Sequence, residues 1–140
     1  IEFTINGTNF LKNDEVRDVS APDEVTDVLG TFGRPEWIVN MSADYIIGEL
    51  VVGWRGRYEG SQLLPGLENQ DIESDPDFIS QTHTGSALVH DFSVSYTFED
   101  SLEVYGGINN AFEEDPYLGT LSRPAGPRGR FFYLGVNYTM

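Results

Sequence analysis

Apolar and polar residues alternate along six segments of the chain, at about 2–12, 35–47, 49–61, 86–98, 102–112 and 128–140. In the last segment, from Phe132 onward, every second position is apolar or aromatic, and the positions between are mixed, small or polar: the first set is Phe132, Leu134, Val136, Tyr138 and Met140. A period of two places alternate side chains on the same face of a strand. Each segment is therefore predicted to be a β-strand with one apolar face.

Two kinds of connection separate the predicted strands. The segments 13–34, 62–85 and 113–127 are rich in acidic residues, Pro and Gly, so we predict long loops there. The connections near Gly48 and at 99–101 are predicted to be tight turns. An antiparallel sheet of nearest-neighbour strands then carries its long loops at one end and its turns at the other. Bacterial outer-membrane barrels share this asymmetry, and strands of about 11 to 13 residues are near the length that crosses a membrane.

The aromatic residues fall near the two ends of the predicted strands. Near the turn end are Tyr45, Tyr96, Phe98 and Tyr138, and near the loop end are Trp37, Tyr58, Phe112 and Phe132. Two aromatic belts around an aliphatic band are typical of a membrane-spanning barrel. We therefore predict an all-β fold, an antiparallel transmembrane β-barrel in the bacterial outer membrane. The alternative is a soluble all-β binding module, whose apolar faces also alternate but whose aromatic residues should lie mid-strand in a core.

The barrel prediction assigns a surrounding to each face of the sheet. The residues predicted to face lipid are Trp37, Tyr45, Trp54, Phe92, Tyr96, Phe132, Leu134, Val136, Tyr138 and Met140. Those predicted to face the lumen are Arg55, Arg57, Glu59, Asp91, Tyr133 and Asn137. The lumenal charges either contact a passing solute or pair with neighbours such as Glu36, Asp44 or Asp91. We favour ion pairs, because half-buried charges need partners.

Composition narrows the classes of partner and chemistry. The chain has 140 residues with a formal net charge of −15 and no cysteine. Strong acidity argues against nucleic acid as a partner, because phosphates would be repelled. The lack of cysteine excludes disulfides, thiol catalysis and Cys-ligated metals. No run of about 18 apolar residues is present, so no transmembrane helix is predicted.

Candidate metal and catalytic residues are few. The acidic residues Asp71, Glu73, Asp75 and Asp77 are spaced as in a calcium loop, and Ca²⁺ in the outer loops is the one cofactor considered. However, Pro76 stands where that loop needs its turn glycine, and Thr82 where it needs a bidentate glutamate. We therefore interpret the segment as an acidic loop. The two histidines, His83 and His90, belong to no recognisable catalytic constellation, and we expect no enzymatic activity.

The C-terminal third resembles a known family. The segment LEVYGGINNAFEEDPY at 102–117 carries the family's penultimate-strand pattern in Val104, Tyr105, Ile108, Asn109, Asn110, Ala111 and Phe112. The final segment has an Arg128-Gly129-Arg130 entry, a Leu134-Gly135 pair and the aromatic Tyr138. These residues resemble the end of a TonB-dependent outer-membrane receptor. The match covers about the last 40 residues, with Met140 in place of the usual terminal Phe, and the upstream strands match in architecture alone.

The resemblance implies more than the sequence contains. It implies a 22-stranded barrel of which 1–140 is a C-terminal fragment holding the last six strands. Six strands by themselves cannot close a membrane barrel, so we expect the remaining strands to come from further sequence or from other chains. The resemblance also implies a plug domain, TonB as a partner and active uptake of a scarce nutrient such as a ferric siderophore, a vitamin or an oligosaccharide. Expected partners are outer-membrane lipid, the rest of the barrel and plug, the TonB complex and a small ligand. The alternative is a passive porin-like or adhesive barrel without a plug.

Overall fold

The structure, a computed structural model, describes residues 1–16, 18–64, 82–99, 101–115 and 129–139. Its elements are strands, with bounds β1 Glu2–Asn9, β2 Asp14–Val16, β3 Val25–Asp27, β4 Trp37–Ile47, β5 Leu50–Glu59, β6 Ala87–Phe98, β7 Leu102–Asn109 and β8 Phe131–Tyr138. Six of them form one antiparallel sheet in the order β1-β4-β5-β6-β7-β8, and β2 pairs with β3 separately. None of the described residues belongs to a helix long and apolar enough to cross a membrane.

The predicted all-β class and the order of the six main strands are confirmed. Several strands are shorter at their loop ends than predicted, and backbone conformation explains two of these differences. Strand β7 stops at Asn109 because Asn110 has a φ of 50° and Glu113 a φ of 58°, left-handed conformations that cannot continue a strand. Similarly, Gly129 has a φ of 62° just before β8 begins at Phe131.

The prediction that 13–34 is wholly irregular is wrong. Strands β2 and β3 pair antiparallel, with Glu15 opposite Thr26 and Val16 opposite Val25. Each strand has three residues, too few for a period of two to be visible in the sequence. The loop therefore has a hydrogen-bonded framework of its own.

The chain forms two compact units. One, the sheet unit, comprises Ile1–Asn6, Val39–Tyr58 and Leu88–Met140; the other, the loop unit, comprises Gly7–Ile38 and Glu59–Ala87. In the described part of the sheet unit no Val, Leu, Ile, Met or aromatic side chain is buried, whereas Val28, Pro35 and Ala87 are buried in the loop unit. The sheet unit therefore has no hydrophobic core of its own among these residues.

Register fixes the two faces of the sheet unit. Tyr96 lies opposite Val104, which lies opposite Val136 on the far side. Residues directly opposite each other in antiparallel strands share a face, so these three side chains stand together. The residues one position on, Thr97, Glu103 and Asn137, are matched in the same way on the other face.

Hydrogen bonds rather than apolar burial organise the loop unit. The amide of Val28 donates to the Asn13 carbonyl at 2.8 Å, and the amide of Leu63 donates to the Gly30 carbonyl at 2.7 Å. Gln62 is fully buried, and its Oε1 accepts the Gly33 amide at 2.6 Å. Segments far apart in the sequence are thus joined by backbone and amide groups.

Two tyrosines cover two glycines across the β7–β8 pair. Tyr105 lies opposite Gly135, and Tyr133 lies opposite Gly107. A Cβ at Gly135 would collide with Cζ, the hydroxyl and Cε2 of Tyr105, and a Cβ at Gly107 would collide with the Tyr133 phenol. Each aromatic ring therefore occupies the space that a side chain would fill on the facing strand, an arrangement that helps to pin register.

We expect Gly135→Ala to destabilise the folded protein by about 1–3 kcal/mol, because the added methyl displaces the Tyr105 ring. In a Tyr105→Ala background the same change should cost under about 0.5 kcal/mol, because the ring is gone and Ala suits a strand better than Gly. Urea unfolding of the purified protein in lipid vesicles measures both values. Equal costs in the two backgrounds would show that Tyr105 does not hold this position, and Asn137→Ala serves as the control on the same face of β8.

Candidate functional site

The apolar face of strand β6 is more exposed than its polar face. Along β6 the residues Phe92, Val94, Tyr96 and Phe98 are 39–47% exposed, while Ser93, Ser95 and Thr97 between them are half-buried. Water-soluble sheets show the reverse order, because apolar side chains pack against a second layer. The order of exposure along β6 is therefore the reverse of that in a water-soluble sheet.

On strand β8 the side chains of the apolar face are exposed to a larger fraction than those on β6. Leu134 is 81% exposed and Val136 is 63% exposed on the apolar face. On the other face Tyr133 is 37% exposed, because its ring lies over the facing strand. Isolated exposed apolar residues are common in any protein, but here they adjoin across three strands, and such patches mark a contact surface.

Aromatic side chains collect at both ends of this face. Near the end of β6 at Phe98, the rings of Tyr96 and Phe98 meet edge to face with centroids 4.6 Å apart. At the opposite end of β6, the ring of His90 meets Phe112 at 4.9 Å, and Phe112 meets Phe92 at 6.2 Å. Between these groups the register aligns aliphatic residues, namely Val94, Val104, Leu134 and Val136.

His90 has a defined role within the second aromatic group. The Trp54 indole donates from Nε1 to His90 Nδ1 at 3.0 Å, and the two rings lie 5.8 Å apart at a tilt of 30°. The imidazole therefore satisfies the polar atom of a tryptophan on an otherwise apolar face, as interfacial tryptophans require. Alternation along β6 places His90 on the same face as Phe92, but its partner Trp54 is 36 residues away and cannot be found from that pattern.

The polar face carries an ion pair of well-defined geometry. The guanidinium of Arg55 donates to both carboxylate oxygens of Asp44, at 2.9 and 3.0 Å. Gly53 leaves room for this pair, since a Cβ there would come within 2.9 Å of Asp44 Oδ1 and would also meet the Ser93 hydroxyl. The pair agrees with the interpretation that the charges of this face are matched to one another.

The other predicted lumenal residues are distributed along the same strands. Asp91 accepts the Asn110 amide at 2.7 Å and so holds the end of β7 against β6. Asn137 lies opposite Glu103, Arg57 is exposed, and Glu59 is only 1% exposed. That these residues face a lumen stays a prediction.

The predicted lipid-facing residues are placed as follows. Phe92, Tyr96, Phe132, Leu134, Val136 and Tyr138 share one face by register. A Cβ on Gly56 would touch the side chains of Met41 and Trp54, so these two share a face, and alternation along β4 adds Tyr45 to it. Trp37 opens β4 and is 48% exposed. Met140 lies outside the described residues, and contact with lipid stays a prediction.

No metal site is found in the described part of the chain. Groups of three or more His, Cys, Asp or Glu residues arranged to hold an ion are absent there. The calcium candidates Asp71, Glu73, Asp75 and Asp77 lie outside the described residues. In the loop unit, the hydrogen bond between Lys12 and the Asp14 carboxylate, together with the charge of that carboxylate, raises the pKa of Lys12.

Comparison with known proteins adds one likeness of fold. No protein-family model matches the sequence, and no curated protein matches it. Among solved structures, the chain is similar to the FrpB iron transporter from Neisseria meningitidis (F3-3 variant), with a TM-score of 0.45 and 22% sequence identity. The similarity covers 75% of this chain and 17% of that chain. At this level of similarity, function has to be argued from the residues of the chain itself.

We expect the Asp44–Arg55 pair to contribute a coupling energy of about 0.3–1 kcal/mol, because Arg55 is half-exposed and exposed pairs are weak. A double-mutant cycle of Asp44→Asn and Arg55→Gln, read by urea unfolding, measures it. The coupling should shrink between low salt and about 1 M salt, where the screening length is near 3 Å. A coupling that is zero at low salt would show that the pair contributes nothing to stability.

Proposed function

We propose that this chain is part of the β-barrel of a bacterial outer-membrane receptor for TonB-dependent active uptake. The observation that carries the proposal is the apolar face shared by β6, β7 and β8, which is exposed on β6 and β8, is flanked by aromatic groups, and has no buried Val, Leu, Ile, Met or aromatic side chain in the described part of the sheet unit. Exposing such a face to water is unfavourable, whereas exposing it to lipid costs nothing. Outer-membrane lipid is thus its partner in this proposal.

The edges of the sheet support a larger barrel. In the described sheet β1 and β8 are edge strands, each paired on one side. In hydrocarbon an unpaired backbone N–H or C=O costs several kcal/mol, so a membrane-spanning sheet closes on itself. We infer that further strands of the same protein pair with β1 and β8, up to the 22 that the family resemblance implies.

The polar face then lines the interior of the barrel. Its matched charges, including the Asp44–Arg55 pair, and the flat tyrosines over Gly107 and Gly135 give a wall without protruding side chains at these positions. Such a wall suits a lumen filled by a plug domain and by water. The transported nutrient belongs to the same proposal: a ferric siderophore, a vitamin or an oligosaccharide.

The loop unit favours a receptor over a passive pore. Long outer loops occur in both classes, but this unit contains a β-hairpin, a fully buried Gln62 and hydrogen bonds that join its two segments, so it is an ordered element. Ordered loops at the outer end of a barrel are where a ligand is captured before transport. The requirement for TonB rests on the resemblance of 102–117 and of the final strand to that receptor family.

We expect Val136→Arg to lower the stability of the barrel in membranes by about 2–4 kcal/mol, because the charge would face hydrocarbon near the bilayer midplane. Asn137→Arg, one residue on, should cost much less because a lumenal charge stays hydrated. The readout is the fraction of full-length protein that is folded in outer membranes, from its heat-modifiable migration on gels. Equal tolerance of the two substitutions would contradict the lipid-facing assignment and favour a soluble module.

Uptake should require energy from the inner membrane. Cells that carry the full-length protein should gain growth in one of three media, limited in turn for iron, for a vitamin or for an oligosaccharide carbon source. That gain should vanish when TonB is removed or the proton gradient is dissipated. Growth that persists without TonB would instead indicate a passive porin-like barrel.

A further inference from the structure

A cavity of about 140 Å³ opens within the loop unit. Its walls are apolar on most sides and polar at two positions: the apolar residues are Phe10, Leu29, Pro35 and Ile38, and the polar residues are Asn13 and Arg34. A cavity of about this size with Leu, Ile and Phe walls accommodates a single benzene ring. The volume therefore sets the size of the apolar part of a ligand at one six-membered ring.

The turn at 28–34, which forms one side of the cavity, is held in place before any ligand arrives. The amide of Arg34 donates to the Thr31 carbonyl at 2.8 Å, and the Thr31 hydroxyl donates to the Val28 carbonyl at 2.7 Å. The amide of Gly33 donates to the Oε1 of the buried Gln62. Because these bonds fix the turn, binding would cost little ordering of the protein.

The two polar residues still have hydrogen-bond donors to offer. The ion pair of Arg34 joins Nη1 to Glu15 Oε2 at 3.1 Å, which leaves most of the five guanidinium donors unused among the described residues. The backbone of Asn13 bonds to Asp27 and Val28, and its side-chain amide has no hydrogen-bond partner in the described part of the chain. Lys12, the nearby cation in sequence, is engaged by Asp14.

We propose that this cavity binds a small aromatic carboxylate, with the ring against the apolar walls and the carboxylate on Arg34 and Asn13. A planar carboxylate matches the guanidinium fork, whereas a phosphate or sulfate would leave the apolar walls uncovered. The net charge of −15 repels anions at long range, but physiological salt screens charges beyond about 8 Å. Binding therefore depends on the nearby groups of Arg34 and Asn13. The inference rests on the proposed function in taking the loop unit as the part that meets external ligands.

In this proposal Glu15 limits the affinity of the site for a carboxylate ligand. Its carboxylate shares the Arg34 guanidinium with the ligand and repels the ligand's negative charge. Both side chains are about half-exposed, at 41% for Arg34 and 42% for Glu15, so Glu15 can shift aside when the ligand arrives. Removing the charge of Glu15 should therefore strengthen binding of an anion and leave binding of a neutral ring unchanged.

The test uses the full-length protein in detergent micelles and two probes of equal size, benzoate and the neutral benzyl alcohol. Binding is followed by ligand-observed NMR. Arg34→Gln should weaken benzoate binding by about tenfold or more, as expected for the loss of a charge-assisted hydrogen bond. Glu15→Gln should tighten it by about threefold, consistent with a half-exposed charge pair. Neither change should alter benzyl alcohol binding by more than about twofold.

Two further variants separate this site from non-specific effects. Leu29→Trp fills the cavity and should abolish binding of both probes, and Ile38→Phe should do so by the same means if Leu29→Trp does not fold. Arg55→Gln removes a cation from the sheet unit and should leave both affinities unchanged. Folding of every variant is checked by heat-modifiable migration on gels.

The proposal is overturned if benzoate shows no saturable binding, if Arg34→Gln leaves its affinity unchanged, or if both cavity-filling variants fold and still bind. These outcomes do not touch the membrane proposal, because the Val136 and Asn137 variants test the barrel without any ligand. Conversely, if the protein binds benzoate at this cavity and also tolerates Val136→Arg, the cavity proposal stands and the barrel proposal fails.

Discussion

The hydrogen-bonded register of β6, β7 and β8 is the constraint on which both faces of the sheet depend. It sets Tyr96, Val104 and Val136 side by side, and every other apolar position of these strands follows from that alignment. A slip by one residue would turn the same side chains to the opposite face. In the described part of the sheet unit no Val, Leu, Ile, Met or aromatic side chain is buried, which is why we propose that this face meets lipid.

On the polar face, glycines make room for the side chains that pack across paired strands in this register. Gly135 and Gly107 leave room for the rings of Tyr105 and Tyr133, and Gly53 leaves room for the Asp44–Arg55 pair. Glycine normally weakens a strand, because it loses more entropy on folding and packs no side chain. Here the facing tyrosines supply the missing contacts. The glycines therefore both make room for the rings and help to determine which residues pair.

The loop unit is stabilised in a different way from the sheet unit. Its few buried apolar residues, such as Val28, are accompanied by buried polar ones, of which Gln62 is the most enclosed. The Oε1 of Gln62 accepts the Gly33 amide, and this bond helps to hold the two segments of the loop unit in one arrangement. An acidic, polar segment can thereby hold a shaped cavity without a large core, and such a cavity suits a part of the protein exposed to external ligands.

The sequence alone determined the six main strands and their apolar face, because a period of two is a local property of each strand. Their order was predicted from the connections, which make each strand the neighbour of the next. The sequence also favoured an ion pair for Arg55. Only the tertiary structure decided which groups meet: Trp54 with His90, Tyr105 with Gly135, and Asp44 among the three carboxylates considered for Arg55. The hairpin of β2 and β3 and the cavity beside Arg34 were likewise invisible in the sequence. The physical reason is that periodicity reports which way a side chain points along one strand, whereas contacts depend on register and on loop closure between residues far apart in the chain.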